Sequence, residues 1–214
     1  MSLLPKFSRS HIYPPLSSII KVPEQLPNTI EVYLDYACPY SGKLYKKWYN
    51  ELFPYLTQNP DKYRFIFKNY VQVWHPTSTL LHEASLAFQY VEPQNFLKFS
   101  YLLFDHIEEF YDTAVANSTR NEIYDKIYEI VIKPNGFNIT KEQFLDNLTI
   151  VETQQGQPHR NSGNATSNDL KWFTKTGRQQ GIHVTPTVVI NGYEDQSIES
   201  STEVSEVIAK LEKL

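Results

Sequence analysis

The sequence predicts a single α/β domain in which a block of helices interrupts a mixed sheet. Three observations lead to this fold class. Two strand patterns flank a short helix near the start, a long region of helical pattern follows, and a strand hairpin with a final helix ends the chain. A length of 214 residues suits one domain with its own core.

The composition is that of an ordinary globular protein and excludes several kinds of partner. Hydrophobic residues make up 41% and charged residues 21%, and the formal net charge is −4, so no basic surface for nucleic acid is predicted. No run approaches the roughly 18 apolar residues of a membrane span, and no signal peptide is recognisable. The single cysteine excludes an internal disulfide. These features predict a cytoplasmic protein without a membrane partner.

The first half of the predicted domain is a strand, a helix and a strand. Residues 1–29 are rich in proline and are expected to form an extended arm that adds an edge strand, so the domain proper is predicted to span 30–214. Apolar residues alternate in Ile30–Tyr36, and Tyr63–Val71 is rich in aromatic and β-branched residues. Between them, three apolar residues recur every four positions: Leu44, Trp48 and Leu52. Pro54 is expected to kink or end that helix.

A helical insertion is predicted over about residues 76–181. Five segments have helical patterns separated by Pro, Gly and Asn clusters: 78–91, 94–110, 120–133, 140–148 and 167–180. Their position after the βαβ unit makes them an insertion into the sheet domain.

Strands are predicted to return near the C-terminus. Thr187–Ile190 is followed by Asn191-Gly192, a dipeptide typical of two-residue hairpins, with a return strand over 193–198. The final helix is expected to begin with a capping box of Ser200 and Glu203. This order of elements indicates the thioredoxin fold with helices inserted in its middle.

Cys38 lies between the first predicted strand and the helix that follows it, a position that favours a reactive thiol. The free N–H groups and the positive dipole end of a helix stabilise a thiolate, which is the nucleophilic form of cysteine. Pro39 suits the first helical turn, and the Ser41 hydroxyl is expected to hydrogen-bond the thiolate. The alternative is that Cys38 is a small buried hydrophobic residue, as most free cysteines are.

A second segment supports a functional thiol. Thr185-Pro186 lies directly before the late strand, and the order of elements predicts that this loop faces Cys38 across the end of the sheet. We expect its backbone N–H and C=O groups to be free to pair with an extended ligand that carries a thiol.

Two motifs resemble those of the DsbA-like thioredoxin-fold oxidoreductases. Val32-Tyr-Leu-Asp-Tyr-Ala-Cys-Pro-Tyr-Ser41 resembles their strand and C-P-x-C active site, and Gly181-Ile-His-Val-Thr-Pro-Thr-Val-Val-Ile-Asn-Gly192 resembles their cis-proline segment. Trp74-His-Pro-Thr-Ser78 resembles the start of the insertion in eukaryotic, especially fungal, members. The resemblance implies that Cys38 and Ser41 are catalytic. It implies a substrate-binding role for five further residues: Pro39, Tyr40, Val184, Thr185 and Pro186.

The chain departs from that family at Ser41, which replaces the second, resolving cysteine. An intramolecular thiol has a very high effective concentration, and without it the mixed disulfide must be released by an outside thiol. The leading hypothesis is therefore a monothiol oxidoreductase with Cys38 as nucleophile and glutathione as co-substrate. Its partners are glutathione or a protein or peptide that carries a thiol or disulfide.

Two other functions remain open at this point. The motif also resembles the S-P-Y-S of kappa-class glutathione transferases and chromene-carboxylate isomerases, with Cys38 at the serine that activates glutathione. That resemblance implies a transferase or isomerase with bound glutathione as nucleophile. The third hypothesis is a redox-inactive thioredoxin-fold module that binds a protein. No metal is predicted, because His75, His82 and Glu83 lack the usual ligand spacing.

Overall fold

A mixed sheet forms the centre of the computed structural model, which describes residues 3–18 and 26–214 of the chain. Its strands are β1 (Ile12–Tyr13), β2 (Asn28–Leu34), β3 (Tyr63–Asn69), β4 (Thr187–Ile190) and β5 (Tyr193–Glu194). They are ordered β1-β3-β2-β4-β5. β2 and β3 run parallel, and the other neighbours are antiparallel. The predicted α/β class is confirmed.

The two central strands are buried on both faces. Every residue of β3 is buried, as expected for parallel strands covered by helices on both sides. β2 begins at Asn28, two residues before the start of the predicted strand, and ends at Leu34, two residues before the predicted end. The chain then turns at Asp35–Ala37, which brings Cys38 to the carboxyl end of the strand.

The helix after β2 is longer than predicted. Helix α1 (Pro39–Lys47) continues through a π-helical turn at Trp48–Leu52 into α2 (Phe53–Gln58). Pro54 does not end the helix, because it is the second residue of α2. The π turn shifts the backbone register there, with the Phe53 N–H bonded to the Trp48 carbonyl, and proline is tolerated in the turn that follows.

The inserted helices cover the sheet on both sides. They are α3 (Ser78–Val91), α4 (Phe96–Asp105), α5 (Arg120–Ile127), α6 (Lys141–Asp146) and α7 (Ser167–Gln179). All five predicted helical segments are confirmed; α3 has the predicted bounds, α7 ends one residue early, and α4, α5 and α6 are shorter than predicted. The 94–110 segment has 3-10 turns on both sides of α4, and α5 passes into a π-helical turn at Tyr128–Ile132.

The C-terminal hairpin has the predicted turn. Asn191 and Gly192 both have positive φ, +50° and +89°, as a type I′ turn requires. The return strand β5 is shorter than predicted, because the chain turns again at Asp195. The predicted capping box is wrong: α8 (Val204–Leu211) begins after Glu203, so Ser200 lies three residues before the N-cap and cannot cap the helix.

The described part of the N-terminal arm packs against the sheet. β1 pairs antiparallel with β3, as the expected edge strand, and the Phe7 side chain is fully buried against α7. Residues 19–25 of the arm lie outside the described residues, and Asn28 and Thr29 belong to β2. None of the helices in the described ranges has the length and apolar character needed to cross a membrane.

Candidate functional site

Cys38 is the N-cap residue of α1 and lies in the predicted position between strand and helix. Its side chain is nearly buried, with 3% of the residue exposed. Its backbone N–H donates to the Asp35 carbonyl at 3.0 Å. Its thiol donates to the Thr185 carbonyl, with 3.4 Å between sulfur and oxygen. The structure therefore brings together the two segments that the sequence singled out.

The loop opposite the thiol has a cis peptide bond between Thr185 and Pro186. The expectation that the polar backbone groups of Thr185 are free is wrong. Its carbonyl accepts from the Cys38 thiol, and its N–H donates to Gln72 Oε1 at 3.1 Å. The Thr185 hydroxyl donates to the same Gln72 oxygen. Gln72 follows β3, and the sheet order places that segment next to the loop.

Ser41 is fully buried one turn into α1, and its hydroxyl faces the end of β2. Its oxygen accepts a hydrogen bond from the Asp35 N–H at 3.3 Å. The expected hydrogen bond from Ser41 to the Cys38 sulfur does not occur among the described residues. The side chain instead turns inward, because the first helical turn directs it towards the polar end of the strand.

Asp35 is the centre of the polar network below the thiol. The carboxylate is fully buried. Oδ1 accepts from the Ala37 N–H and the Ser78 hydroxyl, both at 2.8 Å, and Oδ2 accepts from the Gln72 N–H at 2.7 Å. Charge-assisted hydrogen bonds of this kind offset the cost of burying a carboxylate. Asp35 therefore caps the turn before Cys38 and connects it to the segment that carries Gln72.

His75 and His82 both approach Asp35. His75 Nδ1 lies 3.3 Å from Asp35 Oδ2, and His82 Nε2 lies 4.0 Å from Oδ1. Burial lowers the pKa of His82 from 6.5 to about 4, so its ring is neutral at neutral pH. Glu83 does not join them, since its carboxylate pairs with Tyr124 and Arg120. Within the described residues, no three His, Cys, Asp or Glu side chains are arranged to hold a metal ion.

A second buried histidine extends this network to the N-terminal segment. His11 Nε2 pairs with Asn69 Oδ1 at 3.0 Å, and Asn69 Nδ2 pairs with His82 Nδ1 at 2.8 Å. Burial lowers the pKa of His11 to about 3. The sequence contains no signal for this connection, because the three residues are far apart in the chain.

Exposed apolar side chains lie on the segments that carry Cys38, Gln72 and the cis-proline. Tyr40 is 64% exposed and Trp74 is 55% exposed, with Val73 and Val184 also exposed nearby along the chain. Tyr36, the third aromatic residue near the site, is fully buried and bonds to Ser100, so it belongs to the core. An exposed apolar surface of this kind indicates a docking site.

Two clefts border the cis-proline loop and differ in charge. The first, of about 330 Å³, includes Tyr40, the loop itself and three acidic residues: Glu194, Asp195 and Glu199. The second, of about 300 Å³, includes Gln72 and Trp74 together with Arg178 and His183. The sequence patterns did not indicate Gln72 or Arg178.

Comparisons with known proteins agree with this architecture. A family model described as Thioredoxin matches residues 24–210. A solved structure of a candidate protein-disulfide isomerase from Pseudomonas syringae is 25% identical, with a TM-score of 0.67, and the match covers 87% of this chain and 94% of that one. No match was found among curated proteins.

Two further solved structures share the fold at lower identity. BdbD from Bacillus subtilis is 20% identical, with a TM-score of 0.59 and coverage of 89% and 90%. The thiol-disulfide exchange protein α-DsbA2 from Wolbachia pipientis is 16% identical, with a TM-score of 0.59 and coverage of 89% and 83%. These similarities show that the chain shares the fold of both proteins. With a family model that covers most of its length and a cis-proline loop facing a helix-capping cysteine, the chain belongs to the thioredoxin family.

Proposed function

We propose that this protein is a thiol-disulfide oxidoreductase that uses the single thiol of Cys38, with glutathione as its partner thiol. One observation carries the proposal: Cys38 is the N-cap residue of α1 and its sulfur lies 3.4 Å from the carbonyl before a cis-proline, while a serine takes the place of a second thiol. The similarity to the Pseudomonas syringae protein supports the reaction class.

The proposed reaction consists of two thiol-disulfide exchanges. The Cys38 thiol loses its proton to solvent, and the thiolate attacks one sulfur of a disulfide. A new S–S bond forms to Cys38 while the old S–S bond breaks, and the second sulfur leaves as a thiolate. The N-terminal N–H groups of α1 stabilise the attacking thiolate.

Release of the mixed disulfide requires an external thiol. In the second exchange, a glutathione thiolate attacks the substrate sulfur of the mixed disulfide. A new S–S bond forms between glutathione and that sulfur, the bond to Cys38 breaks, and Cys38 leaves as a thiolate. Ser41 cannot perform this step, because a hydroxyl does not form a disulfide. A glutathione-rich, reducing compartment meets this requirement, so we also propose the cytoplasm as its location.

A second candidate function is favoured by the state of the thiol. Cys38 is only 3% exposed, and its thiol donates a hydrogen bond to the Thr185 carbonyl. This arrangement suits a group that binds a thiol ligand rather than one that attacks a disulfide. In this alternative, bound glutathione is the nucleophile of a transferase or isomerase. The Cys38→Ser variant distinguishes the two candidates.

The test combines intact mass with turnover. Wild-type protein is treated with glutathione disulfide, and disulfide reduction with glutathione is then measured for wild type, Cys38→Ser and Ser41→Cys. We expect one glutathionyl group per wild-type chain and no turnover by Cys38→Ser. The Ser41→Cys variant is expected not to accumulate the adduct, because a thiol three residues away releases it.

Other outcomes select the alternatives. Conjugating or isomerising activity that survives Cys38→Ser would support the transferase and overturn the monothiol mechanism. A wild-type protein that forms no adduct and binds no glutathione would instead indicate a binding module that kept the fold without the chemistry.

A further inference from the structure

The second cleft lies next to the cis-proline loop but outside the thiol site itself. The segment after β3 forms one wall, from Tyr70 to Trp74, and α7 with the turn that follows it forms the other. Gln72 lines the cleft and also accepts the Thr185 N–H. Because the Thr185 carbonyl in turn accepts from the thiol, Thr185 and Gln72 connect the Cys38 sulfur to this cleft.

The charge of this cleft is positive. Its lining contains Arg178 and the imidazole of His183 and no carboxylate. Both residues are exposed, and the Arg178 guanidinium has no ion-pair or hydrogen-bond partner within residues 3–18 and 26–214. The first cleft differs from this one in its charge and in its pairing. Its lining contains Glu194, Asp195 and Glu199 and no basic residue, and Asp195 already pairs with Lys210 at 2.8 Å.

We propose that this cleft is the subsite for a carboxylate carried by the thiol ligand, with Arg178 as its principal binding group. A guanidinium presents a planar fork of N–H donors that matches the two oxygens of a carboxylate. A volume of about 300 Å³ is at the lower limit of small-molecule sites, so the cleft accepts one end of a ligand rather than all of it.

The identity of that end follows from the charges, and this step rests on the proposed role of glutathione. Glutathione has a carboxylate at each end, but its γ-glutamyl end also carries an ammonium group. The Arg178 cleft contains no carboxylate to receive an ammonium. The cleft therefore selects the glycine carboxylate, and in a peptide substrate it selects an acidic group or free C-terminus on the carboxyl side of the cysteine.

The first test compares glutathione with its glycine ethyl ester, in which that single carboxylate is neutral. Binding to the Cys38→Ser protein is measured by calorimetry, with and without Arg178→Gln. We expect glutathione to bind about two- to fivefold more tightly than the ester, a range typical of a partly exposed ion pair. In the Arg178→Gln variant, glutathione and its ester are expected to bind with nearly equal affinity. Lys175→Gln is the matched control, because Lys175 is exposed on the same helix and does not line the cleft.

A second measurement does not depend on glutathione. The rate at which Cys38 reacts with dithiobis(nitrobenzoate), whose rings carry carboxylates, is compared with its rate towards the neutral dithiodipyridine. Arg178→Gln is expected to slow the first reaction several-fold and leave the second unchanged.

The two measurements separate the possible failures. If the Cys38→Ser protein binds neither glutathione nor its ester, glutathione is the wrong partner, and a selective effect of Arg178→Gln on the charged disulfide still supports a carboxylate subsite. The proposed subsite is wrong if Arg178→Gln changes neither the relative affinity for glutathione and its ester nor the relative rate with the charged and neutral disulfides. It is also wrong if Lys175→Gln has the same effect as Arg178→Gln.

Discussion

At the scale of single residues, Gln72 determines whether the backbone next to the cis-proline is available. Its Oε1 accepts the Thr185 N–H at 3.1 Å and thereby takes the place that the carbonyl of an extended ligand would take. Gln72 is held there by its own N–H, which donates to the buried Asp35 carboxylate. A ligand that pairs with Thr185 must first displace this side chain.

This arrangement makes Gln72→Met informative. Methionine is of similar size and has no oxygen to accept the Thr185 N–H, so the donor becomes available to a ligand. We expect faster glutathionylation of Cys38, together with a loss of about 1 kcal/mol in the free energy of unfolding, since a buried donor is left unpaired. Intact mass against time measures the glutathionylation rate, and urea unfolding measures the free energy of unfolding.

The control for this change is Thr185→Val. It removes the hydroxyl that donates to the same Gln72 oxygen but keeps the backbone N–H bond. Its glutathionylation rate is expected to equal that of wild type. A Gln72→Met variant that reacts at the wild-type rate, or more slowly, would show that Gln72 does not occupy the place of the ligand.

At the scale of elements, α7 is positioned by a close contact with the segment after β3. Gly177 lies against the ring of Tyr70, and a Cβ built at Gly177 would lie 2.5 Å from Tyr70 Cε2. The Tyr70 hydroxyl donates to the Ile182 carbonyl, which ties this segment to the turn before the cis-proline loop. The contact therefore sets the width of the Arg178 cleft as well as the position of the helix.

Gly177→Ala tests this contact. Alanine gains about 1 kcal/mol in helix propensity over glycine, but overpacking costs about 1–3 kcal/mol. Tyr70 directly follows β3 and is held by hydrogen bonds from its N–H to the Leu34 carbonyl and from its hydroxyl to the Ile182 carbonyl, so we expect a net loss in the free energy of urea unfolding. Lys175→Ala on the exposed face of the same helix is the control and is expected to be near neutral. Equal or greater stability of Gly177→Ala would mean that the contact is loose.

At the scale of the whole molecule, buried neutral histidines make the stability depend on pH. Burial lowers the pKa of His11 to about 3 and that of His82 to about 4. Both are near 6.5 in the unfolded chain, so between about pH 6.5 and pH 4 the unfolded state binds more protons than the folded state. Stability is therefore complete above about pH 6.5 and is lost as the pH falls, by at most about 1.4 kcal/mol per pH unit for each histidine.

His11→Gln is expected to weaken this dependence. The measurement is the difference in unfolding free energy between about pH 7 and about pH 4.5, and the variant is expected to lose less stability over that interval than wild type. His159→Gln is the control, because His159 is exposed. An identical loss in wild type and His11→Gln would mean that His11 is already charged in the folded protein.

Local sequence patterns were sufficient to predict most of the secondary structure of this protein. Residue periodicity predicted the strands, the inserted helices and their order, and Asn191-Gly192 predicted the hairpin turn, because each depends on near neighbours in the chain. The position of Cys38 at a helix start was also predictable, since β2 and α1 are adjacent in sequence. Two local predictions failed: Pro54 lies within the helical region because a π-helical turn precedes it, and the Ser41 hydroxyl faces Asp35 instead of the thiol.

Only the tertiary structure decided the chemistry around the thiol. The Gln72–Thr185 hydrogen bond joins residues 113 positions apart, and the Gln72–Asp35 bond spans 37. The Arg178 cleft likewise combines α7 with the segment after β3. No periodicity or short motif encodes such pairs, because they arise from how strands and helices pack. The sequence alone therefore determined the fold and where the reactive residue lies, and the packing decided what that residue contacts.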